Sequence, residues 1–192
     1  MVDNNGADRI DDAEIIERVK VGDDDAFELL VRKYQKSIYR LAYRMTGDHF
    51  TADELSMETF LRVYKSIKRF RRGANFFNWL YTIGIHLCLN YLKKEKKRFS
   101  MESDKISNIS SKNRKEAGLL DKVIVKETDQ KIREAISHLP EKLKIVLLLR
   151  IEEELSYEEI SRILRIPQGT VMSRLNRARS SLQKSMKGYL NL

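Results

Sequence analysis

Between Ile160 and Leu192 the chain carries seven basic side chains and no acid. A helix without acids suits a phosphate-facing surface, since one carboxylate beside a duplex would oppose the attraction. Arg can also fork onto guanine, and Asn onto adenine, in the major groove. If Val171, Leu175, Ala178 and Leu182 form an inner stripe, then Thr170, Ser173, Arg174, Asn176, Arg177 and Arg179 occupy the remaining faces. The competing reading is a solvated basic helix that ends an ordinary bundle.

Two further groups could bind partners. Arg69, Arg71 and Arg72 precede a stripe of Trp79, Thr82, His86, Asn90, Lys93 and Lys97, with Phe76 nearby. Cations interleaved with aromatics and amides are the materials of single-strand binding, in which each stacked base is worth about 1–3 kcal/mol. Against this, Trp79 and Phe76 could instead be core. Upstream, Met57 and Leu61 stand four residues apart on a face opposite the expected core, between Glu54 and Glu58 and ahead of Lys65. Apolar side chains rimmed by charge fit an amphipathic partner helix or a basic groove. The alternative is that the chain's own N-terminal helix covers them.

Catalysis finds little material. There is no glycine-rich phosphate loop and no pairing of His with carboxylates at metal spacing, so no enzyme activity, metal or cofactor is expected. Cys88 stands alone between apolar neighbours and reads as a buried, inert thiol, which excludes an internal disulfide.

Helices must position these groups. Gly 8 and Pro 2 make up about 5% of 192 residues, against a usual share of about 12%, which supplies few turns for a strand-rich fold. Asp11 or Asp12 can cap a first helix that ends near Gly22. A second carries Phe27, Leu30, Val31, Tyr34, Ile38, Leu41, Ala42 and Met45 and stops at Gly47. Thr51 and Glu54 form a capping-box pattern for a third, with Ala52, Leu55, Thr59, Phe60, Val63 and Ile67 inside, running to about Phe70. Asn75 can cap a fourth, with Phe77, Leu80, Ile83, Leu87 and Tyr91 inside, which runs out in Lys93, Lys94, Lys96, Lys97 and Arg98.

Apolar periodicity stops at Phe99, and a Ser-, Asn- and Lys-rich stretch reads as a flexible linker. It returns with Leu119, Leu120, Val123 and Ile124, then Ile132, Ala135, Ile136 and Leu139 before Pro140. A helix over 141–153 follows, with Leu143, Val146, Leu147 and Leu149 inside. Ser156 and Glu159 form a second capping box, opening a helix with Ile160, Ile163 and Leu164. The break at Arg165, Ile166 and Pro167 then leads into the basic helix. A short helix, a tight turn and a basic helix match the helix-turn-helix arrangement. The expected fold is all-α: two small helical bundles, 1–98 and 129–192, on a linker at 99–128.

Net charge is +9, which favours a polyanionic partner. It is unevenly spread: −7 over 1–31, +11 over 32–98, +1 over 99–128 and +4 over 129–192, and 14 of 16 aromatics lie between Phe27 and Phe99. The N-terminus lacks a basic flank with an apolar core, and no apolar run approaches the roughly 20 residues a bilayer needs, so a cytoplasmic location is expected.

Four segments carry a resemblance: Glu14 to Leu30 (EIIERVKVGDDDAFELL), Ala52 to Phe70 (ADELSMETFLRVYKSIKRF), Phe76 to Lys93 (FFNWLYTIGIHLCLNYLK) and Leu155 to Leu182 (LSYEEISRILRIPQGTVMSRLNRARSSL). Together, and in this order, they resemble bacterial RNA polymerase sigma factors of the extracytoplasmic function (ECF) class. The resemblance implies a sigma region 2 domain and a sigma region 4 helix-turn-helix domain. These bind core RNA polymerase and read the minus-ten and minus-thirty-five promoter elements.

It implies polymerase docking through Glu54, Met57 and Glu58, with Leu61 on the same face. Phe60 also matches the docking segment but falls on the inner stripe. Minus-ten contacts are implied for the base-capturing loop from Arg71 and Arg72 through Asn75 to Phe76, and for His86 and Asn90, with Lys93 on the same stripe. Thr170, Met172, Ser173, Asn176, Arg177 and Arg179 match the recognition helix, to which the basic face adds Arg174. The family usually has Asp and Gln where this chain has Glu54 and Met57, Asn where it has His86, and often a basic residue at Met172. An anti-sigma partner, which could hold the chain at the membrane, is implied too. The rival readings are a stand-alone helix-turn-helix regulator and a basic structural nucleic-acid-binding protein.

Overall fold

Helices of 8 to 28 residues build the described chain, which in a computed structural model comprises residues 11–103 and 125–186. Segment 104–124, which takes in most of the expected linker and the apolar positions Leu119, Leu120, Val123 and Ile124, lies outside the described residues. Among the described residues there are eight α-helices and no strand. None of those helices is long and apolar enough to cross a membrane. The chain divides into two compact units, one holding α1 to α3 and the start of α4 as far as Leu87, apart from Arg44–Gly47, which falls with the rest in the other.

In the first unit α1 (Asp12–Lys20) is capped by Asp11, whose carboxylate accepts the Ala13 amide at 3.3 Å. It buries Ile15, Ile16 and Val19. Asp23 accepts the Ala26 amide at 2.9 Å at the start of α2 (Asp24–Thr46), and Gly47, at φ +75°, stops it in a conformation open to glycine. Of the expected α2 stripe, Leu30, Ile38, Leu41, Ala42 and Met45 are buried, whereas Phe27, Val31 and Tyr34 are half-buried.

Helix α3 (His49–Ser66) starts earlier than the Thr51–Glu54 pattern suggests. Asp48 is the cap, accepting the Thr51 amide at 2.6 Å, and Thr51 is itself buried within the first turn. An Asp three residues upstream outcompetes Thr51 because a helix needs only one side chain at its N-cap. Its inner stripe is as expected: Ala52, Leu55, Thr59, Phe60 and Val63 are buried, as is Ile67 in the 3₁₀ turn Ile67–Arg69 that follows.

Helix α4 (Phe76–Ser103) differs on two counts. It continues past Arg98, so 99–103 are helical. Its buried face is Phe76, Leu80, Tyr81, Gly84, Ile85, Leu87 and Cys88, while Phe77, Ile83 and Tyr91 are only half-buried. From Phe76 to Leu92 the segment is apolar nearly all round, so periodicity cannot select the face and the neighbouring helices do. At Gly84 the helix faces α2 and α3, where an added Cβ would lie 3.5 Å from Thr59 Oγ1 and 3.7 Å from Ile38 Cδ1. Burial pushes the Cys88 thiol up to about 12, as its inert reading requires.

In the second unit α6 (Glu141–Ile151) is buried continuously from Lys144 to Leu149. It packs with α7 (Tyr157–Leu164) and α8 (Gln168–Met186), and α8 also meets α5 (Val125–Ser137). Apolar spacing identifies a face but not how far a partner extends along it. Along α5 and its exit Leu139 is buried, Ala135 and Ile136 are half-buried, and Ile132, expected inside, is exposed. Leu143 and Leu182 are likewise only half-buried, and Met186 extends the α8 stripe instead.

The approach to α7 is held by Arg150, which donates to the carbonyl of Leu155 at 3.0 Å and lies 5.7 Å from the centre of the Tyr157 ring. The expected capping box is present: the Glu159 amide donates to Ser156 Oγ at 3.2 Å, and the Ser156 amide to Glu159 Oε2 at 2.8 Å. Arg165 then adopts a left-handed conformation (φ 53°), the Ile166 amide bonds back to Ser161 O at 3.1 Å, and Pro167 O accepts the Thr170 and Val171 amides. That is the turn between the two helices.

The Ser156 amide and hydroxyl hold the Glu159 carboxyl below its ordinary range. This stabilisation is present above the unfolded carboxyl value and is lost as pH falls through the lower folded one. Ser156→Ala is expected to destabilise the α6–α8 unit by about 1 kcal/mol at neutral pH. In urea melts followed by circular dichroism, the difference from wild type should narrow at acidic pH, where the wild-type box also opens.

Candidate nucleic-acid and partner interfaces

On α3 the outer face is open. Met57 is 67% and Leu61 50% exposed, so α1 does not cover them. Glu54 is exposed, and Glu58 pairs with Arg62 one turn on at 2.7 Å. Beside them a groove of about 590 Å³ opens between α2 and α3, walled by Phe27, Val31, Gln35 and Lys36 on one side and Met57, Phe60 and Leu61 on the other. Sequence reading took Phe27 and Val31 as core and missed this wall. Their apolar character signalled burial without showing that they line an edge.

The loop between the 3₁₀ turn and α4 is fixed at both ends. Gly73 takes φ +77°, the Ala74 amide bonds to Arg71 O at 3.2 Å, and Asn75 Oδ1 accepts the Asn78 amide at 2.9 Å, as expected of a cap. Arg71, Arg72 and Asn75 are exposed. Phe76 is not: at 3% exposure it packs against Tyr34, Phe70 and Trp79, with ring centres 5.6–5.9 Å away. Trp79 is half-buried, 4.9 Å from Phe70. The aromatic half of the expected base-stacking platform is therefore turned inward. Packing against Tyr34 of α2 and Phe70 after the 3₁₀ turn, rather than any local pattern, turns Phe76 into the core.

A cavity of about 460 Å³ lies between this loop and α1, lined by Arg72, Gly73, Ala74 and Asn75 across from Asp12, Glu14 and Glu17. Asp12 ties α1 to α2 by accepting from Lys33 Nζ at 2.7 Å and from the Tyr34 hydroxyl. Burial, then that hydrogen bond, raises the Tyr34 hydroxyl's pKa. A hydrogen bond from Lys20, helped by the charges of Lys20 and Arg72, holds the Glu17 carboxyl low. The acidic lead was legible in sequence, but nothing there indicated that it faces this loop.

His86, Asn90, Lys93 and Lys97 are exposed along α4, while Thr82 is half-buried and donates to Asn78 O at 2.7 Å. On α8, Val171, Leu175 and Ala178 are at most 1% exposed. Ser173, Asn176, Arg177 and Arg179 point to solvent with Met172, which is 50% exposed, and Thr170 and Arg174 are half-buried. The three arginines form no ion pair among the described residues.

A capped helix, a left-handed tight turn and a following helix with free arginines define a helix-turn-helix DNA-binding protein, here joined to a second helical unit. The sigma-70 region 2 model matches residues 30–98 and the sigma-70 region 4 model residues 129–182. The ECF RNA polymerase sigma factor SigW of Bacillus subtilis is 34% identical over 177 residues, covering 90% of this chain and 95% of that protein. Among solved structures, CnrH in complex with the cytosolic domain of CnrY matches with a TM-score of 0.68 at 17% identity, over 93% of this chain and 98% of that one. The sigma factor RpoE in complex with the anti-sigma factor NepR, from Bartonella quintana, gives 0.62 at 24% identity, over 84% and 96%. The chain belongs to the ECF RNA polymerase sigma factors, which are non-enzymatic transcription initiation factors.

Phe76→Ala is expected to cost about 3–5 kcal/mol, the usual range for emptying a buried phenylalanine site. Thermal unfolding of the first unit should reveal the loss, whereas Arg71→Ala, at an exposed position, should leave the transition within about 0.5 kcal/mol of wild type.

Proposed function

We propose that residues 1–98 form the domain that docks on core polymerase and reads the minus-ten element. Residues 129–192 read the minus-thirty-five element, and 99–128 tether the two. The open face of α3 carries this reading: Met57 and Leu61 stay largely exposed between Glu54 and Glu58. A stand-alone helix-turn-helix regulator has no use for such a surface. Covering the exposed part of each side chain contributes about 1–2 kcal/mol, while the carboxylates steer a basic partner.

At the minus-ten element, the 460 Å³ cavity beside Arg72 and Asn75 is large enough to take an unstacked base. Arg71 and Arg72 hold the strand there, and His86, Asn90 and Lys93 continue along it. Phe76 acts by holding the loop from beneath. At the minus-thirty-five element, α8 enters the major groove with Thr170, Met172, Ser173, Arg174, Asn176, Arg177 and Arg179 toward DNA, Met172 offering apolar contact where a thymine methyl would lie.

The protein works in the cytoplasm on promoter DNA, duplex and melted. An anti-sigma protein, of the kind with which RpoE was solved, occludes it until a signal arrives and, if membrane-bound, keeps it at the membrane.

Run-off transcription with purified core polymerase over a genomic library should yield promoter-dependent transcripts. If none appears, the reading fails. Glu58→Lys should weaken core binding and this output without lowering the melting temperature, because the Glu58–Arg62 pair is solvent-exposed and contributes little. Arg177→Ala should weaken binding to the recovered upstream element by about 1–3 kcal/mol while sparing unrelated sequences. Equal losses on every sequence would make Arg177 a phosphate contact.

A further inference from the structure

The corner where α2 gives way to α3 holds a cluster that neither core packing nor DNA reading accounts for. Tyr39 and Tyr43 stand four residues apart on α2, and His49 and Asp53 four apart on α3, so each pair shares a helix face. The three rings lie nearly parallel: Tyr43 stacks on His49 with centres 4.3 Å apart, and Tyr39 lies 6.3 Å from each. The Tyr39 hydroxyl and His49 Nδ1 share a hydrogen bond that holds the imidazole in this stack. His49 nonetheless remains exposed.

Negative charge sits beside these rings. Partial burial, then the charge of Asp53, with Tyr43 and Asp48 adding, raises the pKa of the Tyr39 hydroxyl, which places both carboxylates near it. Asp48 is engaged with the Thr51 amide as the α3 cap. Asp53 is exposed and forms no ion pair among the described residues, not even with Lys36, which lines the same groove.

The corner is continuous with the open face of α3. Among the residues lining the 590 Å³ groove beside Met57 and Leu61, Tyr39 is the last on α2 and Asp53 the first on α3, so the two mark one end of it. Phe50, 71% exposed, falls within an arc of about 40° that also holds Met57 and Leu61, and the apolar stripe thereby reaches the turn carrying His49. Nucleic acid is a poor occupant, because Asp48, Asp53 and Glu54 oppose its phosphates. Stacked rings beside a free carboxylate suit a planar cation, which can lie over a ring and fork onto the carboxylate; an ammonium lacks both the plane and the fork.

We propose that Tyr39, Tyr43, His49 and Asp53 form a seat for an arginine side chain of the core-polymerase segment that docks on α3. This rests on the docking assignment given above. Apolar contacts at Met57 and Leu61 favour association without fixing where along the groove a partner helix lies, whereas a guanidinium seated at one end sets its register. Asp53 and Leu61 are about 12 Å apart along α3, so the arginine belongs about two turns from the apolar side chain that meets Leu61.

The test measures the affinity of the full chain for purified core polymerase, with wild type, His49→Ala, His49→Phe and Asp53→Asn, and with Glu58→Lys as the reference for the docking face. His49→Ala should weaken binding about 3- to 30-fold, the range for a cation over an aromatic ring. His49→Phe should recover most of that loss, since it restores a ring without restoring the bond to Tyr39. Asp53→Asn should weaken binding and make it less sensitive to salt, while His49→Ala keeps the salt dependence of wild type. Both positions are exposed, so melting temperatures should stay close to wild type.

Wild-type affinity in His49→Ala overturns the proposal, as does a loss that His49→Phe fails to recover. A loss confined to Asp53→Asn overturns it too, leaving a plain charge contact. Unchanged core binding with weakened capture of a purified anti-sigma protein would assign the corner to that partner instead. If Glu58→Lys also binds core polymerase normally, the docking assignment falls together with the seat; if Glu58→Lys is impaired and the corner variants are not, the seat alone falls.

Discussion

Each functional helix here must bury one face and present chemistry on another, and the burial determines which side chains face outward. Helix α8 makes the constraint plain. Val171, Leu175 and Ala178, three or four residues apart and at most 1% exposed, lock its rotation. Once they are seated against neighbouring helices, Ser173, Asn176, Arg177 and Arg179 can only point outward. A helix turned by one residue would exchange these sets by about 100° and bury an arginine without a partner, which is costly enough to forbid it. The turn before α8 serves the same end: left-handed Arg165, the Ser161–Ile166 bonds and Pro167 set its first residues, while the Ser156–Glu159 box fixes α7.

The first unit reaches a similar result by different means. The surface proposed above to read the minus-ten element, between α3 and α4, is a loop, and loops need something beneath them. Tyr34, Phe70, Phe76 and Trp79 form that support, an aromatic cluster in which each ring lies within 6 Å of at least one other. Edge and tilted contacts of this kind add about 0.5–1.5 kcal/mol per pair to the burial itself. With the rings turned inward, the cations of Arg71 and Arg72 and the Asn75 amide are what the loop offers to solvent. What the loop can offer a partner is therefore charge, hydrogen bonding and the shape of the cavity, with the aromatic residues one layer down.

Much of this was legible in the residues, and the failures share a cause. Caps at Asp11, Asn75 and Ser156–Glu159, the α3 stripe and the α8 stripe could be read because strongly patterned segments admit one rotation. Helix α4 could not. Phe76 to Leu92 is apolar on nearly every side, so whether Phe76 or Phe77 faces inward depends on helices α2 and α3, whose positions no local pattern encodes. The same holds for Phe27 and Val31, apolar residues that became a groove wall, and for Ile132, which is exposed. At α3 the signal was present but misassigned, since Asp48 and Thr51 are both good caps and only the helix start decides between them.

The segregation of charge follows from the same geometry. An acidic lead and a basic loop could have lain far apart; instead Asp12, Glu14 and Glu17 line one wall of the cavity whose other wall is Arg72 to Asn75. Asp12 is committed to Lys33 and Tyr34 and so holds α1 against α2, while Glu17 pairs with Lys20 within α1. They also place negative charge where a nucleic-acid phosphate would be repelled and a base edge bearing an amino group would be accepted. Under the minus-ten role proposed above, a strand entering the cavity would be oriented, with its backbone drawn to Arg71 and Arg72 on the outer rim and its base directed inward. The net charge of +9 thus understates the organisation, because acids and bases line the same cavity from opposite sides.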